Sequence, residues 1–170
     1  MYEKEPAKSY RYNDPQDADL GKILDPRHTA LLMIDMQNDF CDKEGKFAQA
    51  GRDVSDVIRI VPRCKELLES ARSANVMVVH IQQSTLPGQQ SDNGGWLAFK
   101  TRDGKAPTYA TVNTWGWEHI DALKPHNDGE DGRYFEPVVL KFRPDGFLYT
   151  QLDLILRANG IESVVCCGCT

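Results

Sequence analysis

At 170 residues the chain has the length of one domain and needs no disulfide staples to bury a core. A formal charge of −5 gives no electrostatic reason to bind nucleic acid or an anionic membrane surface. No apolar run approaches the roughly 20 residues that span a bilayer, and the polar opening "MYEKEPAKSYRYNDPQDADLG" lacks the apolar centre of a signal peptide, so the chain reads as a soluble, cytoplasmic protein.

In chain order, residues 1–28 read as an extended N-terminal arm and 29–170 as the domain proper. "TALLMID" (29–35) is a continuous apolar run ending in an acid, the pattern of a central parallel strand buried on both faces. Residues 36–56, rich in Gly, Asp and Asn, read as a loop. A helix follows, with Pro62 in its first turn, Cys64, Leu67, Leu68 and Ala71 on one apolar face, and Asn75 at its end. "VMVVHIQ" (76–82) is a second buried strand. The polar segment after it, with Gly88, Gly94 and Gly95, is long for a simple connection, and such loops are usually functional or disordered.

"TWGWEHIDALKP" (114–125) reads as a short helix stopped at Pro125, and "PVVLKF" (137–142) as a third strand. In "TQLDLILRANG" (150–160), Thr150 and Asp153 form a capping box, Leu152, Ile155 and Leu156 the apolar face, and Gly160 the stop. "IESVVCCGC" (161–169) is the fourth strand. Five cysteines, an odd number in a chain this long, argue against a disulfide framework. Cys166 and Cys169 make a C-x-x-C spacing, but no second pair completes a zinc site, and Cys166 and Cys167 are expected in the core. Strand and helix alternate, which predicts an α/β fold: a three-layer sandwich with a central parallel sheet between helices. The last strand arrives without a following helix, so the chain reads as truncated after it.

Ligands of open α/β sheets bind beyond the carboxyl ends of the strands. Two such ends carry isolated charges, Asp35 and Lys141, and the Gly168 turn brings a third strand end to the same rim. The pair is either a buried structural ion pair or functional. Desolvation makes a buried pair a weak stabilising device, which favours function. An acid, a lysine and a thiol form a coherent set: the carboxylate takes the thiol proton and the ammonium orients the acid.

The D-x-Q-N-D-F block at 35–40, the strand-ending Lys141 and the "F-x-x-T-x-L-D-x-x-L-R-x-x-G-I" element at 147–161 occur in an order that resembles the isochorismatase-like cysteine hydrolase superfamily. The resemblance covers 29–170 and implies a Rossmann-like parallel sheet. It implies Asp35 as general acid/base and Lys141 as the lysine of an Asp–Lys–Cys triad. By motif position Gly168 opens the nucleophile block, which puts the cysteine four residues past Thr170, with Cys169 as the alternative. Cys169 and Thr170 then occupy the family's cis-peptide position, with the Thr170 N–H in the oxyanion hole.

Phe40 is assigned to the substrate pocket, with core packing as its alternative, and Gln37 to supporting the loop. Trp96, Trp115 and Trp117 are expected in packing or subunit contacts unless one walls the pocket, and Arg143 on the surface unless a substrate carboxylate needs it. Within the superfamily the chain is most similar to biuret and triuret hydrolases, ureidoacrylate amidohydrolase and N-carbamoylsarcosine amidase. Gly146 stands where many relatives carry serine. The resemblance implies hydrolysis of a C–N bond in a small ureide or N-carbamoyl substrate, with no cofactor and a homodimeric or homotetrameric assembly. No metal is expected, because His80 stands apart from His28, His119 and His126 in the sequence. Nicotinamidase or isochorismatase activity, or a catalytically inactive binding subunit, are the alternatives.

Overall fold

The computed structural model describes residues 19–102, 108–127 and 135–169. The chain runs through helix α1 (Leu20–Ile23), strand β1 (Thr29–Ile34), helices α2 (Asn38–Cys41), α3 (Lys46–Gln49) and α4 (Ser55–Ser73), and strand β2 (Met77–Gln83). Helix α5 (Gly94–Thr101), strand β3 (Val138–Lys141), helix α6 (Leu152–Ala158) and strand β4 (Ser163–Gly168) follow. All strand pairings are parallel, in the order β3-β2-β1-β4. Of the expected N-terminal arm, residues 1–18 lie outside the described residues.

Two apolar clusters flank the sheet, and β1 divides between them as a strand must, with successive side chains on opposite faces. Leu31 and Met33 pack with Cys64, Leu68 and Ala71 of α4. Ala30 and Leu32 pack with Val79, Ile81 and Val139, under Leu152 and Leu156 of α6. Central strands apolar on both faces therefore sit between helix layers, the expected sandwich.

Several local expectations are corrected. Helix α4 begins at Ser55, so Pro62 lies inside it. The Asp53 carboxylate accepts from the Ser55 N–H at 2.9 Å just ahead of the helix; Val57, Ile60 and Val61 extend its packed stripe. Leu67, expected on that stripe, is 37% exposed.

The expected loop over 36–56 contains α2 and α3, gathered round Asp39. The Asp39 carboxylate accepts main-chain N–H groups of Lys46 at 3.1 Å and Ala110 at 2.6 Å. Gly116 is required beside it, since a Cβ there would lie 2.2 Å from Asp39 Oδ1. The helix expected over 114–125 is two 3₁₀ turns, Trp115–Trp117 and Asp121–Leu123. Between them the backbone is diverted to pair with residues 36–38, through Asn38 N–H to Glu118 O at 3.0 Å and Ile120 N–H to Met36 O at 3.1 Å.

At α6 the capping box does not form. Thr150 Oγ1 accepts from the Leu152 N–H at 3.2 Å, and Asp153 is engaged by Arg157 at 2.8 Å. Cys166 is exposed, not core. Strand β4 pairs with β1 alone among the described strands, and Val164 and Cys166 lie on its uncovered side.

The strand ends converge at one edge. Ile34 of β1 is level with Ile81 and Gly168, and Gln83 with Lys141. Gly168 (φ 144°) permits the closest approach: a Cβ there would meet the Ile34 carbonyl oxygen at 2.0 Å.

Replacing Leu68, fully buried, by alanine should cost about 2–5 kcal/mol by urea denaturation, whereas Leu67→Ala should stay below about 1 kcal/mol. Equal losses would contradict the observed rotation of α4.

Candidate active site

The residue after β1 is held in an uncommon conformation. Asp35 has φ 54°, the left-handed region in which a non-glycine residue is strained, and such strain gathers at functional sites. Its N–H reaches Ile81 O at 2.9 Å, and its own carbonyl accepts from the Gln37 N–H at 2.8 Å. The turn directs the carboxylate across β2. Oδ2 lies 2.7 Å from Lys141 Nζ, with the two side chains 1% and 5% exposed. Oδ1 accepts from the Gln83 N–H at 3.1 Å, and Lys141 Nζ also donates to Pro144 O at 3.1 Å. The two residues singled out from the sequence are thus brought together.

Gln37 has the supporting role expected of it. Its amide donates to Gln83 O at 2.9 Å and Trp117 O at 2.8 Å, while its oxygen accepts from the Gln83 N–H at 2.9 Å.

Asp35 and Lys141 line a cavity of about 460 Å³, together with Phe40, Trp96, Phe99 and Tyr109. Phe40, expected either in the substrate pocket or in core packing, is packed in the core and also borders this cavity. It is 2% exposed, packs edge-on against Phe47 and Tyr109 with centroids 4.8 and 5.5 Å away, and contributes to the cavity wall.

Of the three tryptophans only Trp96 walls this cavity. Trp115 lines a separate hollow near Asp39, and Trp117 Nε1 donates to Ser84 Oγ at 2.9 Å. Helix α5 delivers Trp96 from the long connection after β2. A buried ion pair, Lys100 Nζ to Asp92 Oδ2 at 2.7 Å, anchors that helix, with the ammonium 4.7 Å from the Tyr109 ring centre. Sequence periodicity missed this helix, since its eight residues are bracketed by polar turns; its signal was Asn93, whose side chain accepts from the Trp96 N–H at 2.8 Å and caps the helix. Arg143 donates to Ser91 O at 2.8 Å and is not among the cavity residues.

Two of the described cysteines, Cys64 and Cys169, are held protonated. Cys169 Sγ donates to Asp35 O at 3.2 Å and lies 3.9 Å from Cys41 Sγ; that sulfur contact, burial and the negative charge nearby drive its pKa far up. Cys64, 3.3 Å from Cys167 Sγ, is pushed up to about 12, chiefly by burial. A nucleophile needs the opposite environment, and none of the described cysteines lines the cavity. Thr170 lies outside the described residues, as does the expected cis peptide preceding it.

Histidines distant in sequence do meet in space. The His80 and His119 ring centres are 5.3 Å apart, and His80 Nε2 bonds Glu136 Oε2 at 2.8 Å. Burial raises the Glu136 pKa, but bonds to Arg72, His80 and the His126 N–H outweigh it and hold the group at about 2. Burial lowers His119 to about 4. Among the described residues no three His, Cys, Asp or Glu side chains are grouped to hold a metal ion.

The isochorismatase domain profile matches residues 29–170. Ureidoacrylate amidohydrolase RutB of Caulobacter segnis is 32% identical over 155 residues, covering 85% of this chain and 62% of the relative. The chain therefore spans under two thirds of that relative's length. A cysteine hydrolase from Pseudomonas syringae pv. phaseolicola superposes with a TM-score of 0.69 at 26% identity, over 87% of this chain and 62% of that one. N-carbamoylsarcosine amidase from Thermoplasma acidophilum gives 0.63 at 26%, over 83% and 67%.

Lys141→Met strands a buried carboxylate and should lower unfolding free energy by about 3–5 kcal/mol. Adding Asp35→Asn should recover part of that loss, and no recovery in the double variant would show that the two are not coupled. The unfolded chain protonates His119 more readily than the folded one, so stability should decline as pH falls from about 6.5 towards about 4. Urea midpoints at pH 7 and pH 5 check this, and the drop between them should shrink in His119→Gln.

Proposed function

Because this chain belongs to the isochorismatase domain family, we propose that the protein hydrolyses a C–N amide bond in a small ureide or N-carbamoyl compound, of biuret, triuret or ureidoacrylate type. The observation that carries the reading is the Asp35–Lys141 pair, buried at 2.7 Å beside an aromatic-walled cavity. Flat, polar-edged ureides suit aromatic faces, and the cavity volume is that of a small-molecule site. The relatives named as ureidoacrylate amidohydrolase and N-carbamoylsarcosine amidase support the same substrate class.

The thiol nucleophile is placed six residues after Gly168, beyond Cys169, whose own thiol is held protonated against the Asp35 carbonyl. Asp35 takes the thiol proton as sulfur attacks the carbamoyl carbon, and main-chain N–H groups around Thr170 hold the oxyanion. As the intermediate collapses, the same proton passes to the leaving nitrogen, and ammonia or an amine departs. Asp35 then draws a proton from water, which attacks the thioester-like carbonyl and frees the sulfur. Lys141 keeps the Asp35 carboxylate oriented through the whole cycle. The working form is proposed to be a cytoplasmic homodimer or homotetramer.

Ammonia release from a panel of ureides and amides, nicotinamide included, tests the reading. Turnover of a ureide should disappear on thiol alkylation and fall at least about a thousandfold in Asp35→Asn. An Asp35→Asn enzyme with full activity would refute the assignment. Cleavage of isochorismate in place of any ureide would identify vinyl ether hydrolysis instead.

A further inference from the structure

We propose that Cys64 and Cys167 form a reversible dithiol–disulfide couple, oxidised by a peroxide, that latches helix α4 to strand β4; the inference does not depend on the amidohydrolase reading above. The two sulfurs already touch. Cys167 Sγ donates to Cys64 Sγ at 3.3 Å, although the residues stand 103 positions apart in the chain. A disulfide holds its sulfurs about 2.05 Å apart, which leaves about 1.3 Å to close. Packing keeps the pair in contact: Cys64 belongs to the buried cluster under α4, and Cys167 rests against it. Groups held in this way react as one unit and need no encounter.

The two environments divide the chemistry. Cys64 is sealed, and burial with the Cys167 contact pushes its pKa up to about 12, so it does not meet an oxidant as thiolate. Cys167 is partly exposed and is the sulfur that a peroxide reaches. Its sulfur attacks the peroxide: an S–O bond forms, the O–O bond breaks, and the water or alcohol that leaves takes up the thiol proton. The Cys64 sulfur then attacks the Cys167 sulfenic acid. An S–S bond forms, the S–O bond breaks, and the departing hydroxide carries off the Cys64 proton as water. Both electrons lost by the thiol pair pass to the peroxide.

The other described thiols are worse placed. Cys41 and Cys169 are both buried and 3.9 Å apart, and Cys169 Sγ donates to Asp35 O at 3.2 Å. Cys166 is exposed, on the side of β4 opposite Cys167. Cys167 is followed by Gly168, which lies against the Ile34 carbonyl, and by Cys169, bonded to the Asp35 carbonyl. The new bond therefore ties α4 to the strand end beside the Asp35–Lys141 pair.

The test exposes the folded chain to stoichiometric hydrogen peroxide, alkylates the remaining thiols and maps linked peptides by mass spectrometry. Wild-type protein should give a Cys64–Cys167 bridge that dithiothreitol reverses. Its urea midpoint should rise on oxidation, since the bond closes a long loop of the unfolded chain. Cys64→Ala should abolish the bridge and leave Cys167 as a sulfenic acid that a cyclic dione traps, whereas Cys167→Ser should give neither product. Cys166→Ser should leave the bridge unchanged. A folded protein without this bridge, a Cys41–Cys169 bridge in its place, or links between chains through Cys166 alone would overturn the proposal. So would a Cys64–Cys167 bridge that forms only in urea, or an oxidised protein no more resistant to urea than the reduced one.

Discussion

A carboxylate and an ammonium sealed from water 2.7 Å apart are the constraint around which this fold is arranged. Each loses several kcal/mol of hydration, and their attraction returns that only in good geometry with every remaining hydrogen-bonding site filled. The partners come from β1 and β3, which are not neighbours; β2 runs between them. The sheet must therefore hold three strand ends in register. It does so through the Gln83–Lys141 pairing and the Gln83 N–H, which donates to both Asp35 and Gln37. The left-handed turn at Asp35 sends its carboxylate across β2, and on the other side of β1 Gly168 lets β4 approach the Ile34 carbonyl.

The surroundings divide labour by environment. On one side the thiols meet in two pairs, Cys41 with Cys169 and Cys64 with Cys167, and Cys64 and Cys169 are held firmly protonated. On the other, aromatic residues from the 36–56 segment, from α5 and from Tyr109 form a wall that also carries the ion pair, Gln83, Arg52 and Arg102.

What the sequence revealed and what it hid have physical causes. Unbroken apolar runs ending in a charge made β1 and β3 readable, and with them Asp35 and Lys141; β1 is buried on both faces, as such a run implies, whereas β3 leaves Leu140 exposed. The covered faces of α4 and α6 were readable from Leu68 and Ala71, and from Leu152 and Leu156. The start of α4 was not: Pro62 read as a first-turn residue, while the helix begins about two turns upstream at Ser55, with Val54 at its N-cap. Long-range pairing was equally hidden. The backbone of 118–120 forgoes a helix to pair with 36–38, and Asp39 is spent on distant main-chain N–H groups. The aromatic wall from α5 could not be read because its contacts are tertiary and its helix short. Cys166 was misjudged because its exposure depends on what packs over that face of β4, which the strand's own residues do not show.

The central claim is that Asp35 and Lys141 act on the substrate as one unit. A double-mutant cycle on kcat for ureide hydrolysis, comparing Asp35→Asn, Lys141→Met and the double variant, measures this directly. The account predicts that each single change removes most of the activity and that the double variant is no slower than the slower single one. Losses that multiply would contradict it, showing two groups that contribute independently.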